Sequence, residues 1–141
     1  LAYLLSHHVM TLATTGPDGV WAAAVFYAPD GFRLTFLSAG HTRHARNIAA
    51  SPRVAATIQD DYRDWPAIQG IQLEGTVTLL EGQERAAALA RYTARYDFLQ
   101  QPVAVVERAL SRVNWYSLRP ERLYFVDNSQ GFGHRDEITG L

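Results

Sequence analysis

The sequence predicts an α+β fold that is mainly β: a closed or split barrel of six to seven antiparallel strands with flanking helices, in one domain spanning residues 1–141. Three observations predict it. Short apolar runs recur between Gly- and Pro-bearing turns, stretches of helical periodicity interrupt them, and 48% hydrophobic residues in 141 supply one sizeable core. Closing the sheet also removes exposed strand edges.

Residues Leu1 to Ser6 read as the end of a helix, and His8 to Thr15 as a strand running into Gly16-Pro-Asp-Gly19. Pro presets φ for that turn and Gly accepts a positive φ. Val20 to Ala28 is the second strand, Pro29-Asp-Gly31 turns the chain again, and Phe32 to Ser38 is the third, so the three form an antiparallel meander. Ala22-Ala-Ala24 contributes little side-chain packing on a pleated surface. A run of small residues there fits either a flat ligand or a tightly packed neighbouring element.

Ser38-Ala-Gly-His-Thr-Arg-His-Ala-Arg-Asn-Ile48 follows as strand end, turn and new helix, with Thr42 as N-cap and Ala45, Ile48 and Ala49 on the buried stripe. Arg43, His44 and Arg46 then fall in the first turn, where the helix end is already partly positive and each exposed cation costs about 0.3–1 kcal/mol. An anion would reverse that sign. Backbone N–H groups, the Ser38 and Thr42 hydroxyls and two Arg forks would make a phosphate cradle. The same pattern reads equally well as a solvated basic helix end.

Ser51-Pro52 stops this helix, and Arg53 to Gln59 is a fourth strand. Asp60 to Pro66 is a polar connector carrying Tyr62 and Trp65, which anchors or covers its surroundings. Ile68 to Leu80 alternates polar and apolar around two Gly, the pattern of a long bent or bulged strand. Gly82 to Tyr96 is helical, with Leu89, Tyr92 and Tyr96 on one face as core or dimer contacts, and Val103 to Leu110 forms a further helix. Two last strands, Arg112 to Leu118 and Arg122 to Val126, are separated by Arg119-Pro-Glu. In the tail Ser129 to Ile138, two Gly flank Phe132 and specify a loop.

A net charge of −1 gives no nucleic-acid footprint. All 13 basic residues are Arg, each a planar fork for phosphate or carboxylate. Zero Cys removes disulfides, thiolate nucleophiles and iron–sulfur ligation, so redox chemistry needs a bound cofactor. The longest apolar run, Val20 to Ala28, is too short to span a membrane, and no signal-like segment appears, so a cytoplasmic protein is expected. His41-x-x-His44 lacks an evident third ligand, and no metal site is expected.

From Val9 to Phe132 the order of strand, Ser38 turn, Thr42-Arg43 helix start and Ser51-Pro-Arg-Val54 strand resembles the pyridoxamine 5′-phosphate oxidase-like FMN-binding split barrels. Gly70-Ile-Gln-Leu-Glu-Gly75, Leu80-Glu-Gly-Gln-Glu84 and Asp127-Asn-Ser-Gln-Gly-Phe-Gly133 match a small, functionally uncharacterised branch. The resemblance implies an FMN-binding oxidoreductase, a homodimer with cofactor at the subunit interface. It places FMN against Ala24, Val25, Phe26, Tyr27 and Leu37, with Ser38, Thr42, Arg43 and His44 at the phosphate end and Gln69 or Gln72 near the ring. His44 stands where the oxidases carry Lys, and Ala22 where they carry Arg. Their Arg-x-His-Asp-Arg pattern is replaced by Gly133-His-Arg-Asp-Glu137, so pyridoxamine phosphate oxidation is not implied. The superfamily also leaves room for a deazaflavin or haem, the latter through His7, His8, His41, His44 or His134. A non-catalytic FMN-binding module remains, because Asp127, His134 and Asp136 are readily explained as turn or surface residues and no catalytic residue is assigned.

Overall fold

A computed structural model of the chain describes residues 1–96, 99 and 103–141. Its order is α1 (Ala2–Ser6), β1 (Val9–Gly16), β2 (Gly19–Phe26), β3 (Ala28–Asp30), β4 (Arg33–Ser38), α2 (Arg43–Ala50), β5 (Arg53–Gln59), β6 (Gln69–Leu79), α3 (Gly82–Arg95), α4 (Val103–Leu110), β7 (Asn114–Asp127) and β8 (Arg135–Ile138). Short 3-10 turns occupy Trp65–Ala67 and Asn128–Gln130. The strands form one antiparallel sheet in the order β2-β1-β5-β6-β7-β4-β3, with β8 beside the far end of β7. The sheet curls until β2 lies against β4, giving the split barrel that the sequence predicts.

Alternation drives the curl. On β1 and β5 the even residues, Met10, Leu12, Val54, Ala56 and Ile58, are buried, and their odd neighbours face outward. They meet Phe36, Leu73, Leu118 and Leu123 inside the barrel. A second apolar cluster, Ala28, Ala88, Tyr92, Tyr96 and Trp115, lies under α3 on the other side of β4 and β7.

The structure departs from the sequence expectation in three places. The predicted meander is absent: β2 pairs only with β1, and β4 pairs with β3 and β7. The cause is Tyr27, fully buried between β2 and β3. Its N–H donates to the His8 carbonyl at 2.9 Å, its phenol to the Leu4 carbonyl at 2.8 Å, and its own carbonyl accepts from the Tyr96 hydroxyl. The chain there leaves one edge of the sheet for the other. Next, the two last strands are one 14-residue strand. Pro120 does not break it, because it lies opposite the bulge at Glu74/Gly75, beyond the last β4 pair at Leu118 and before the first β8 pair at Leu123. A Cβ on Gly75 would overlap the Arg119 carbonyl, so the bulge requires glycine. Last, β8 forms from the tail and β3 (Ala28–Asp30) from the end of the expected second strand and the Pro29-Asp30 turn, so the strand count is eight instead of six or seven.

Candidate functional site at the start of the second helix

β4 ends at Ser38, paired with Asn114 at the start of β7, and the chain turns through Gly40 into α2. Thr42 caps the helix as the sequence predicts: its Oγ1 accepts from the Ala45 N–H at 3.3 Å and donates to the Ala39 carbonyl at 2.9 Å. The helix is fixed against β1 by Asn47, whose Nδ2 donates to Thr14 Oγ1 at 3.1 Å inside the core. A Cβ on Gly16 would overlap the Asn47 amide, so α2 can approach only because that strand end is bare.

This scaffold brings Ser38, Thr42 and His44 together. Ser38 Oγ lies 3.2 Å from Thr42 Oγ1 and 2.5 Å from His44 Nε2. Burial pushes the His44 imidazole below its ordinary pKa, so it stands neutral beside the hydroxyls at pH 7. Arg43 reaches to the β1–β2 hairpin instead: Nη2 donates to the Asp18 carbonyl at 3.1 Å, and the guanidinium lies 4.4 Å from the centre of the Trp21 ring. These two contacts fix the plane of the fork. They leave Arg43 Nε inaccessible and, among the described residues, without an acceptor, and a buried donor in that state calls for a partner.

The remaining expected residues divide by strand parity. Ala24 lies on the open outer face, in one row with Thr11, Thr57 and Gln72 across β2, β1, β5 and β6; the next rows carry Ala22, Ala13 and Ala55, and Phe26 and Val9. Val25 points inward and packs against the barrel core, and Tyr27 is a core residue. Leu37 packs toward α3, beside its cross-strand partner Trp115. Of the two glutamines, Gln72 shares the open face with Ala24 and accepts from Arg135 at 3.4 Å, whereas Gln69 lies beside Asp127, whose carboxyl is held below its usual range chiefly by the Ser129 hydroxyl and in smaller part by Gln69. Gln69 pairs with Asp127 at one end of β6 and Leu79 with Tyr116 at the other, so about 30 Å of strand separates Gln69 from the Ser38 end. Within one chain the Ser38 group and the glutamines do not meet.

Sequence reasoning missed Trp21 and Asp18 as the anchors of Arg43. A lone Trp opening a run of three alanines was the available signal. Of the five histidines, His7 stacks on Tyr3 and lies 3.0 Å from Asp60, His134 lies 3.2 Å from Asp136, and His8 and His41 are exposed. Among the described residues no three His, Asp or Glu side chains converge on a possible metal position, and no helix is long and apolar enough to cross a membrane.

Comparison with known proteins agrees with this architecture. The pyridoxamine 5′-phosphate oxidase family matches residues 1–127. A UPF0306 protein of Photorhabdus laumondii is 36% identical over 135 residues, covering 94% of this chain and 88% of that protein. The structure of a heme binding protein from Mycobacterium smegmatis superposes with a TM-score of 0.76 at 29% identity, covering 99% of this chain and 56% of that one, so the present chain spans just over half its length. The heme storage protein HutZ of Vibrio cholerae shares the fold at 17% identity and a TM-score of 0.72, with 86% and 88% covered. A split barrel with a Thr-capped helix after its fourth strand, matched over nine-tenths of its length, places the chain in the pyridoxamine 5′-phosphate oxidase family, among the uncharacterised UPF0306 proteins.

Proposed function

We infer that the chain is an FMN-binding flavoprotein, a homodimeric oxidoreductase of unidentified substrate whose cofactor phosphate rests at the start of α2. The observation that carries this reading is the buried, partnerless Nε of Arg43, beside a helix N-terminus that also presents the Ser38 and Thr42 hydroxyls. A phosphate gives that donor its acceptor and offsets the positive helix end. Ser38 and Thr42 then supply oriented hydroxyls, and His44 adds a proton-dependent donor where the oxidases carry Lys.

Ala22 and Ala24 give the outer face of β2 small side chains on which a flat ring system fits, while Trp21, under Arg43, lies on the opposite face of the strand with Thr14. Bound FMN supplies hydride transfer; the protein's share is to hold, orient and desolvate it. The open face of Ala13, Ala22, Ala24, Ala55 and Thr57 is bordered by exposed Val9, Val20 and Phe26. A second copy covering it would bury that apolar border and bring one subunit's Gln72 toward the other's α2. Gly133-His-Arg-Asp-Glu137 speaks against pyridoxamine phosphate as substrate.

The test is the visible spectrum of freshly purified protein, with identification of the released chromophore. Flavin absorption and recovered FMN support the reading; a deazaflavin, or no FMN binding on reconstitution, overturns it. A second reading, haem binding, is favoured by the 29% identity to the mycobacterial heme binding protein. It requires a Soret band on haem addition that disappears when one of His8, His41 or His44 is replaced.

A further inference from the structure

On β4 the residues alternate between two environments. Leu34 and Phe36 point into the barrel core with Ser38 on their side, so Arg33, Thr35 and Leu37 face the opposite way, toward α3. Register sets Thr35, Ser117 and Thr78 in one hydroxyl row across β4, β7 and β6. α3 covers the neighbouring apolar row of Leu37 and Trp115 with Ala88 and Tyr92, and overhangs the hydroxyl row with Glu84 and Arg91. Between helix and sheet lies a cleft of about 480 Å³, within the range of small-ligand sites, roughly 300–1,000 Å³.

Its charges are not balanced internally. Three arginines, Arg33, Arg91 and Arg119, face two carboxylates, Asp30 and Glu84. Arg91 is committed: its Nη2 lies 3.3 Å from Asp30 Oδ2 and its Nη1 3.5 Å from Thr35 Oγ1. Arg33 is the register partner of Asp30 on β3 and Arg119 that of Thr76 on β6, both line the cleft, and among the described residues neither arginine forms an ion pair. Thr35, 2% exposed, presents its hydroxyl to the floor of the same cleft, where Arg91 reaches it.

We propose that this cleft is a second ligand site, for a small hydroxylated oxyanion: a phosphate monoester or a hydroxycarboxylate. Its oxyanion is held by the Arg33 and Arg119 forks, whose planar donors match phosphate or carboxylate. Its hydroxyls lie over the Thr35–Ser117–Thr78 row, and the Arg91–Asp30 pair forms the wall. The site is on the face of β4 opposite Ser38 and does not depend on the flavin reading.

The test is residue-resolved NMR of the full chain, titrated separately with glycerol 3-phosphate, malate and inorganic phosphate. At least one organic probe shifts the amides of Thr35, Ser117 and Thr78, and which one it is identifies the oxyanion. In R33Q/R119Q the apparent dissociation constant rises about tenfold or more, whereas R43A leaves these shifts in place. Shifts confined to Ser38 through His44 report the cradle at α2 and count against the cleft. No shift at the three hydroxyl residues with either organic probe, or shifts unchanged in R33Q/R119Q, overturns the proposal. Should the double variant fail to fold, R119Q alone is read the same way.

Discussion

The two faces of β4 carry two arginine-bearing regions that use their arginines in opposite ways. At α2, Arg43 is fixed by the Asp18 carbonyl and the Trp21 ring, the Ser38 and Thr42 hydroxyls bond to each other, and His44 is held neutral by burial. At α3, Arg33 and Arg119 stand exposed over a hydroxyl floor, without ion pairs among the described residues. The first region has little charge and much order; the second has more charge and less order. Order lowers the entropy lost on binding, so the α2 region is suited to tight retention of a cofactor. Exposed charge attracts ligands but is screened within about 10 Å at 0.1 M salt, which suits the α3 cleft to a ligand that exchanges.

The largest effect is expected where the two regions share a scaffold, at the open sheet face. In A24R a cation would be buried without a partner in the proposed dimer, a cost of about 3–5 kcal/mol. Sedimentation velocity should show a monomer, and FMN should be lost with the shared site. A dimer of unchanged stability would place the interface elsewhere.

Next is Arg43. R43A should weaken FMN binding by about 1.5–3 kcal/mol, the contribution of a charged hydrogen bond, and should leave the α3 cleft untouched. Circular dichroism checks that the β1–β2 hairpin has kept its fold.

G75A should act on the opposite side. The new methyl meets the Arg119 carbonyl across the bulge, so a loss of about 1–3 kcal/mol from overpacking is expected in chemical denaturation. Arg119 shifts with its backbone, so the α3 cleft should weaken more than FMN binding at α2. Equal losses at both would mean that the two regions are not independent.

The smallest effect concerns pH. His44 lies below its ordinary pKa in the free protein because of burial, and a neighbouring phosphate raises it. Binding then takes up a proton. Affinity should strengthen as pH falls through the bound-state pKa and level off below the free-state pKa, by at most about tenfold per pH unit. The phosphate's own ionisation near 6 acts in the opposite sense in every variant, so the difference between wild type and H44Q isolates the imidazole. Identical profiles would remove His44 from the phosphate site.

These distinctions were unevenly legible in the sequence. Thr42 as cap, the buried Ala45 and Ile48, and the bend at Gly75 are local signals, and the structure bears them out, whereas Ala49 of the same expected stripe is exposed and Asn47 is buried in its stead, held by Thr14. The meander failed because a turn signal says that a chain reverses, not which strand it then pairs with, and Tyr27 carries the chain to the far edge. Pro120 looked like a break because the missing N–H matters only where a partner needs it, and the bulge removed that need. The direction of Arg43 depended on Asp18, 25 residues away, which no local pattern encodes. Gln72 and Gln69 are separated by parity alone, and one set of register assignments distinguished them. That Arg33 and Arg119 line one cleft joins two strands far apart in sequence and required the topology.

The central claim is that the start of α2 recognises the phosphate of FMN, and comparing FMN with riboflavin in the same fluorescence titration isolates that group. Wild-type protein should bind FMN about tenfold or more tightly than riboflavin, and R43A should bring the two affinities together. Equal affinity for both in the wild type, or a preference for FMN that survives R43A, would contradict the account.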